Sequence, residues 1–313
     1  MMMQERPVAL LLMGPTASGK SELAVDLARR MEGEIVSVDS SQVYRGMDIG
    51  TAKPSLDIRA EIPHHLIDIL DPSEHFSAGR FREEALALIA AIHGRGRLPI
   101  LAGGTMLYFQ ALVYGLAPLP PGDSATRAEI DAEAAEMGWP ALHRHLAKVD
   151  SEAATRIHPN DAQRIQRALE VYRLTGRPLS AWWKKEPSET LPFRPLKVAI
   201  SPLARAELHR RIERRFRAML DQGLVEEVEQ LHRRADLHPG LPAIRSVGYR
   251  QVWSYLEGDC DFSTMINKAV SATRQLAKRQ FTWLRREEDA LWLASDDANA
   301  SGKIIAALGE KQS

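Results

Sequence analysis

The stretch "VALLLMGPTASGKSELAVDLARRM", residues 8–31, decides how the rest of the chain is read. Its first six residues form an unbroken apolar run stopped by Gly14-Pro15, which predicts a buried strand. From Ser21 onward, Leu23, Val25, Leu27 and Met31 recur at helical spacing, with Arg29 and Arg30 near the end, where cations suit a helix terminus. Between strand and helix lies Gly14-x4-Gly19-Lys20-Ser21. Glycines let successive backbone N–H groups converge on phosphate oxygens, and the helix N-terminus adds positive potential. Lys20 supplies a point charge, and the Ser21 hydroxyl can ligate Mg2+. This is a phosphate cradle, and a nucleoside triphosphate is its default occupant.

Working outward, "EIVSVDS" predicts a second strand ending at Asp39, "HHLIDILDP" a third closed by Pro72, and "RLPILAGGT" a fourth. Helices are expected over "FSAGRFREEALALIAAIHGRG" and over "TMLYFQALVYG", the latter with Thr105 as a capping candidate. Strands alternating with helices at this rhythm predict an α/β fold with a doubly wound parallel sheet of the P-loop type. Its ligand belongs at the carboxyl ends of the strands, where Gly14, Asp39 and Gly103-Gly104-Thr105 fall. Three prolines in "LAPLPPGD" then interrupt the pattern, and helices replace strands. We expect residues 1–119 and 191–313 to form the catalytic core and residues 120–190 an all-helical insertion. "PLKVAIS" returns to the sheet, four long helices follow, and "ALWLAS" suggests an edge strand.

Composition narrows the classes. A chain of 313 residues with 44% hydrophobic content has material for more than one core. Lys plus Arg and Asp plus Glu stand at 41 each, so only local clusters can attract a polyanion. The lone Cys260 excludes an intrachain disulfide framework and a multi-cysteine zinc site, and suits a reducing cytoplasm. The apolar run after Arg6 is too short to span a membrane, and none is expected to be a partner.

Candidate chemistry is sparse and placed. "LPILAGGT" ends in glycines and a threonine rather than in the acid with which phosphoryl-transfer P-loops hold Mg2+. The available acid is Asp39, which can hold Mg2+ or accept a proton. Arg210, Arg211, Arg214, Arg215 and Arg217 crowd one helix, so any one of them can be solvated or reach phosphate. Arg274, Lys278 and Arg285 lie within about 40° of one another on a helical wheel. They read equally as snorkelling chains beside a core stripe or as a rail for a nucleic-acid backbone. "QRIQR", Gln163 to Arg167, offers amides and guanidiniums to base edges, or simply to water.

Taken in order, "GPTASGKS", "DSSQVYRGMDIGTAKP", "HHLIDILDP", "GGTMLYFQAL", "NDAQRIQRALEVY", "IRSVGYRQ" and "TRQLAKRQFTWLR" resemble the signature blocks of the bacterial tRNA dimethylallyltransferases, also called tRNA isopentenyltransferases. The resemblance runs from Gly14 to Arg285. It implies transfer of a dimethylallyl group from dimethylallyl diphosphate to the exocyclic amine of the adenosine immediately 3′ of the anticodon. Carbon–oxygen cleavage leaves phosphorus untouched, which fits the missing acid after the fourth strand. The resemblance also implies a flipped adenosine, a cytoplasmic enzyme acting as a monomer, and a helical insertion gripping the anticodon arm of the tRNA.

Residue by residue, the resemblance makes Asp39 the general base, with Thr105 and an arginine, Arg215 or in reserve Arg211, serving the leaving group. Gly14, Pro15, Thr16, Ala17, Ser18, Gly19, Lys20 and Ser21 would hold the diphosphate, with Mg2+ as cofactor bound mostly through diphosphate and water and touching Ser21. Contacts to tRNA would come from Asp39, Ser40, Ser41, Gln42 and Thr105. Arg127, Gln163, Arg164, Ile165, Gln166 and Arg167 of the insertion would join them. So would Arg245, Ser246, Val247, Gly248, Tyr249 and Arg250, and finally Arg274, Lys278, Arg279, Gln280 and Arg285. Three other readings remain: a P-loop small-molecule kinase using ATP, a prenyltransferase acting on free adenine nucleotides, and a non-catalytic RNA-binding switch.

Overall fold

A computed structural model describes residues 6–183, 190–201 and 204–312. It divides the chain into two compact units, Met1–Val113 with Leu191–Ser313, and Tyr114–Thr190. The break expected at residue 120 thus falls a few residues earlier, and the end of the expected insertion, residues 184–189, lies outside the described residues.

In the first unit, strands β1 (Val8–Met13), β2 (Gly33–Val38), β3 (His64–His65), β4 (Leu98–Gly103), β5 (Arg194–Ser201) and β6 (Leu291–Ala294) form one sheet. Its order is β3-β2-β4-β1-β5-β6, with every pairing parallel. All six residues of β1 are buried, as a central parallel strand requires. Alternation sorts them between two layers. Ala9, Leu11 and Met13 pack with α3 (Ala78–Gly94) and α4 (Met106–Tyr114) on one face. Val8, Leu10 and Leu12 pack with α1 (Lys20–Arg30) and α13 (Ala300–Gln312) on the other. Helix α13 was not anticipated from the sequence.

A third cluster joins the loop after β2, through Val43, Tyr44 and Met47, to α9 (Arg205–Asp221), α10 (Leu224–His232), α11 (Tyr249–Leu256) and α12 (Phe262–Leu284). The expected third strand is cut to two residues. Leu66 and Asp68 take left-handed backbone, φ 60° and 57°, which ends the pairing, and only a bridge from Leu70 to Tyr44 follows.

The second unit is helical among its described residues. It comprises α5 (Ser124–Met137), α6 (Trp139–Val149), α7 (Ser151–Arg156), α8 (Ala162–Thr175) and a 3-10 turn at Leu179–Trp182. Ile130, Leu142, Leu146, Ile165 and Leu169 make a core of its own. Asp123, Asp150 and Asp161 each cap a following helix through a side-chain carboxylate. No described helix is long and apolar enough to cross a membrane.

Candidate active site

Strands β1, β2 and β4 end side by side, and the chemistry stands on their carboxyl edge. The turn out of β1 is tight. Gly19 takes φ 83° at the head of α1, and Ala17 takes φ 62° without being glycine. The neighbouring edge is just as close: a Cβ on Gly103 would sit 2.0 Å from the Val38 carbonyl oxygen. Within the loop the Ser18 N–H donates to the Pro15 carbonyl at 3.3 Å, and Lys20 Nζ donates to the same oxygen at 3.2 Å. The Ser18 hydroxyl is buried without a hydrogen-bond partner among the described residues, while Ser21 is exposed.

Electrostatics singles out one arginine. Burial and the positive charge of Arg215 push the Lys20 ammonium down to about 8, against the pull of Asp39 and Glu22. Burial likewise lowers Arg215, again opposed by Asp39 and Glu22. Lys20, Arg215 and Asp39 therefore share one field. Arg211 is instead tied down, its Nε on Glu207 at 3.0 Å and a terminal nitrogen on the Ser295 hydroxyl at 3.1 Å. Of the two candidates, Arg215 is the one whose charge acts on Lys20.

Asp39 directs one carboxylate oxygen to the Ser41 N–H at 2.8 Å, and its other oxygen has no hydrogen-bond partner among the described residues. Thr105 was expected to cap α4; its hydroxyl accepts from the Ser40 N–H at 3.0 Å and so ties the end of β4 to the Asp39 turn. Tyr108 was not foreseen. Burial and the charges of Tyr44 and Asp39 raise its phenol well above the usual value, so it stands near Asp39 as a neutral group donating to the Phe76 carbonyl.

Several expected RNA contacts are occupied elsewhere. Gln42 takes the Ser37 hydroxyl at 2.8 Å and donates to the Thr51 carbonyl at 3.2 Å. The Tyr249 side chain is fully buried, and its hydroxyl donates to Glu227, which also accepts from the N–H groups of Asp48, Ile49 and Gly50. Gln280 is buried between the loop and β4. Gly248 is buried, and its N–H donates to Gln251. Ile165 has no exposed surface, because it belongs to the core of the helical unit. Tyr249, Gly248, Gln280 and Ile165 are thus corrected from surface to interior, while Gln42 is half-buried. Arg274 donates to Glu213 at 3.2 Å, which leaves less of it for a rail.

Other predicted positions stand open. Ser40, Arg245, Arg250, Lys278, Arg279 and Arg285 are exposed, Val247 is half-buried, and Ser246 shares a hydrogen bond of 2.9 Å with Ser41. In the helical unit Gln163 and Arg164 are exposed, and Gln166 donates to Asp131. Arg127 and Arg167 both clamp the buried Glu170.

Glu227 goes unnoticed in the sequence, and Gln280 reads there as an RNA contact, for one reason. Each is a polar residue on an apolar stripe: Glu227 lies between Leu224 and Leu231, and Gln280 between Ala277 and Leu284. A polar group at such a position is a signal of an internal hydrogen-bond partner.

Residues 42–287 match the IPP transferase family, and residues 7–62 match a family described as isopentenyl transferase. The chain belongs to the IPP transferase family. Among its relatives, the tRNA dimethylallyltransferase of Methylococcus capsulatus is 61% identical over 299 residues, 96% of each chain. That of Halorhodospira halophila is 60% identical over 303 residues, 96% of this chain and 98% of the relative. A solved tRNA isopentenylpyrophosphate transferase from Bacillus halodurans superposes with TM-score 0.71 at 37% identity, covering 98% of both chains. A eukaryotic dimethylallyltransferase solved acting on tRNA gives TM-score 0.80 at 29% identity, covering 97% of this chain and 79% of that one. The IPP transferase fold is thus the doubly wound P-loop type, as the opening motif predicts.

Proposed function

We propose that the protein transfers a dimethylallyl group from dimethylallyl diphosphate to the exocyclic amine of the adenosine 3′-adjacent to the anticodon in tRNA. The observation that carries this reading is the near full-length likeness to tRNA dimethylallyltransferases, with which the mutually interacting charges of Lys20, Arg215 and Asp39 agree. Two cations suit a departing diphosphate, and one carboxylate with a free oxygen suits a nitrogen that must lose a proton. In the step itself the amine nitrogen bonds to the first carbon of the prenyl group. The carbon–oxygen bond breaks, and its electron pair leaves with the diphosphate. Asp39 takes the amine proton. Lys20, Arg215 and the amides of the loop stabilise the charge that grows on the leaving oxygens.

Mg2+, when bound, would add further charge neutralisation on the diphosphate. The donor set fits an ion held mainly by its substrate. Ser21 offers an exposed hydroxyl, Asp39 and Glu22 lie near the same charges, and no group of three or more His, Cys, Asp or Glu residues gathers among the described residues.

The test is mass spectrometry of nucleosides from unmodified tRNA incubated with the protein, dimethylallyl diphosphate and Mg2+. We expect a prenylated adenosine and one diphosphate released per group transferred. Phosphorylation by ATP, or prenylation of free AMP in place of tRNA, would replace this reading with one of its rivals.

A further inference from the structure

Helix α12 and the Arg285 that caps it present Lys278, Arg279 and Arg285 to solvent, yet Gln280 on the same helix is only 9% exposed. Its Oε1 accepts from the Thr16 N–H at 2.9 Å, and its Nε2 donates to the Gly104 carbonyl at 2.9 Å. The fit is close: a Cβ on Gly104 would lie 2.4 Å from Nε2 and 3.3 Å from the Gly14 carbonyl oxygen. One amide is therefore wedged where the glycine loop meets the end of β4.

We propose that Gln280 is a positioning residue for the transfer reaction, holding the diphosphate loop and the Thr105 end of β4 in fixed relation on the helix that bears the exposed cations. The inference rests on the function proposed above. The loop has few ties of its own, since the two bonds to the Pro15 carbonyl are long. Ala17 meanwhile holds a left-handed conformation that costs energy without glycine. Its shape must be set from outside. The amide orientation is fixed by chemistry, because a backbone N–H only donates and a carbonyl only accepts. Each end of the side chain is thereby engaged, and burial to 9% exposure keeps its remaining N–H and lone pair away from a base or phosphate in solution. Glutamate lacks the donor for Gly104, methionine lacks both groups, and asparagine is one methylene short. A reacting group displaced by about 1 Å can lose roughly 100-fold in rate, so a modest loosening here is measurable.

The experiment uses the full-length protein and its Gln280→Met and Gln280→Glu variants. Inorganic diphosphate affinity, tRNA affinity, kcat at saturating substrates and amide hydrogen exchange of residues 14–21 are measured well below each melting temperature. Gln280→Met should weaken diphosphate binding roughly tenfold and lower kcat about 30-fold, with the Thr16 amide exchanging faster and tRNA affinity moving less than about twofold. Gln280→Glu should lose diphosphate affinity at pH 8. As pH falls the protonated acid regains a donor for Gly104, so its affinity relative to wild type should recover, which a packing defect would not do. If Gln280→Met does not fold, the glutamate variant decides alone. Unchanged diphosphate affinity, or a loss confined to tRNA affinity, overturns the inference. Should the wild type bind diphosphate but modify no tRNA, the proposed function fails, while loop exchange and diphosphate affinity still judge the role of Gln280.

Discussion

In the proposed reaction Asp39 and Lys20 carry opposite halves of the chemistry, and each makes its own prediction. Asn at position 39 keeps the acceptor for the Ser41 N–H but cannot take a proton. Asp39→Asn should therefore lower single-turnover transfer by about 100-fold or more while tRNA affinity changes little. Transfer within threefold of wild type would remove the residue as base. Lys20 titrates near 8 in the free protein because burial and Arg215 oppose its charge. Diphosphate affinity should then fall as pH rises through about 8, since only the charged form pairs with the anion. Binding near that pH should take up protons, visible by calorimetry in buffers of different ionisation enthalpy. The same lowered value means that charged Lys20 opposes folding below about 8, a cost that fades as pH rises toward the unfolded value of 10.5. Asp39 and Lys20 were legible in the sequence because motif and strand end locate them. Arg215 could not be separated from Arg211 there, because the difference is which one Ser295 and Glu207 restrain.

Helix α12 mixes three kinds of side chain on adjacent positions: the apolar stripe, the inward amide of Gln280, and exposed cations. Wheel geometry grouped Arg274 with Lys278 and Arg285, but Glu213 engages Arg274 alone of the three. Removing charge at Lys278 and Arg285 together should weaken tRNA binding and reduce the slope of log affinity against log salt by about one to two. Arg274→Ala should reduce it by less, because its charge is already partly neutralised. Filter binding across a salt series measures both. Strand β3 shows the limit of pattern reading at this level. An apolar run promised a full strand, but positive φ at Leu66 and Asp68 depends on partners distant in sequence. One is the cluster of Lys53 and Arg59 about the Asp68 carboxylate.

Two compact units divide the molecule's stability. The helical unit hangs on Glu170, which has no exposed surface and accepts from Arg127, Arg167 and the Asp123 N–H. Burial alone would raise its pKa, but these donors bring it below the usual value. Glu170→Ala leaves the Asp123 N–H and two partly exposed guanidiniums without their acceptor, so it should cost about 1–3 kcal/mol. The loss should fall on the helical unit, read as faster amide exchange in α5 and α8 with β1 and β4 still protected. Strand order, by contrast, was beyond the sequence, which announces strands but not which of them will be neighbours. That order bears on how the chain is made. Strand β1 emerges first during synthesis, yet the partner on one of its sides is β5. The bond closing that edge, from Arg6 to Leu191, joins residues 185 apart. The nascent protein must therefore hold a half-finished sheet while all of α5 to α8 is translated, so early chain termination anywhere in those helices would release a species with a bare hydrophobic strand and invite aggregation.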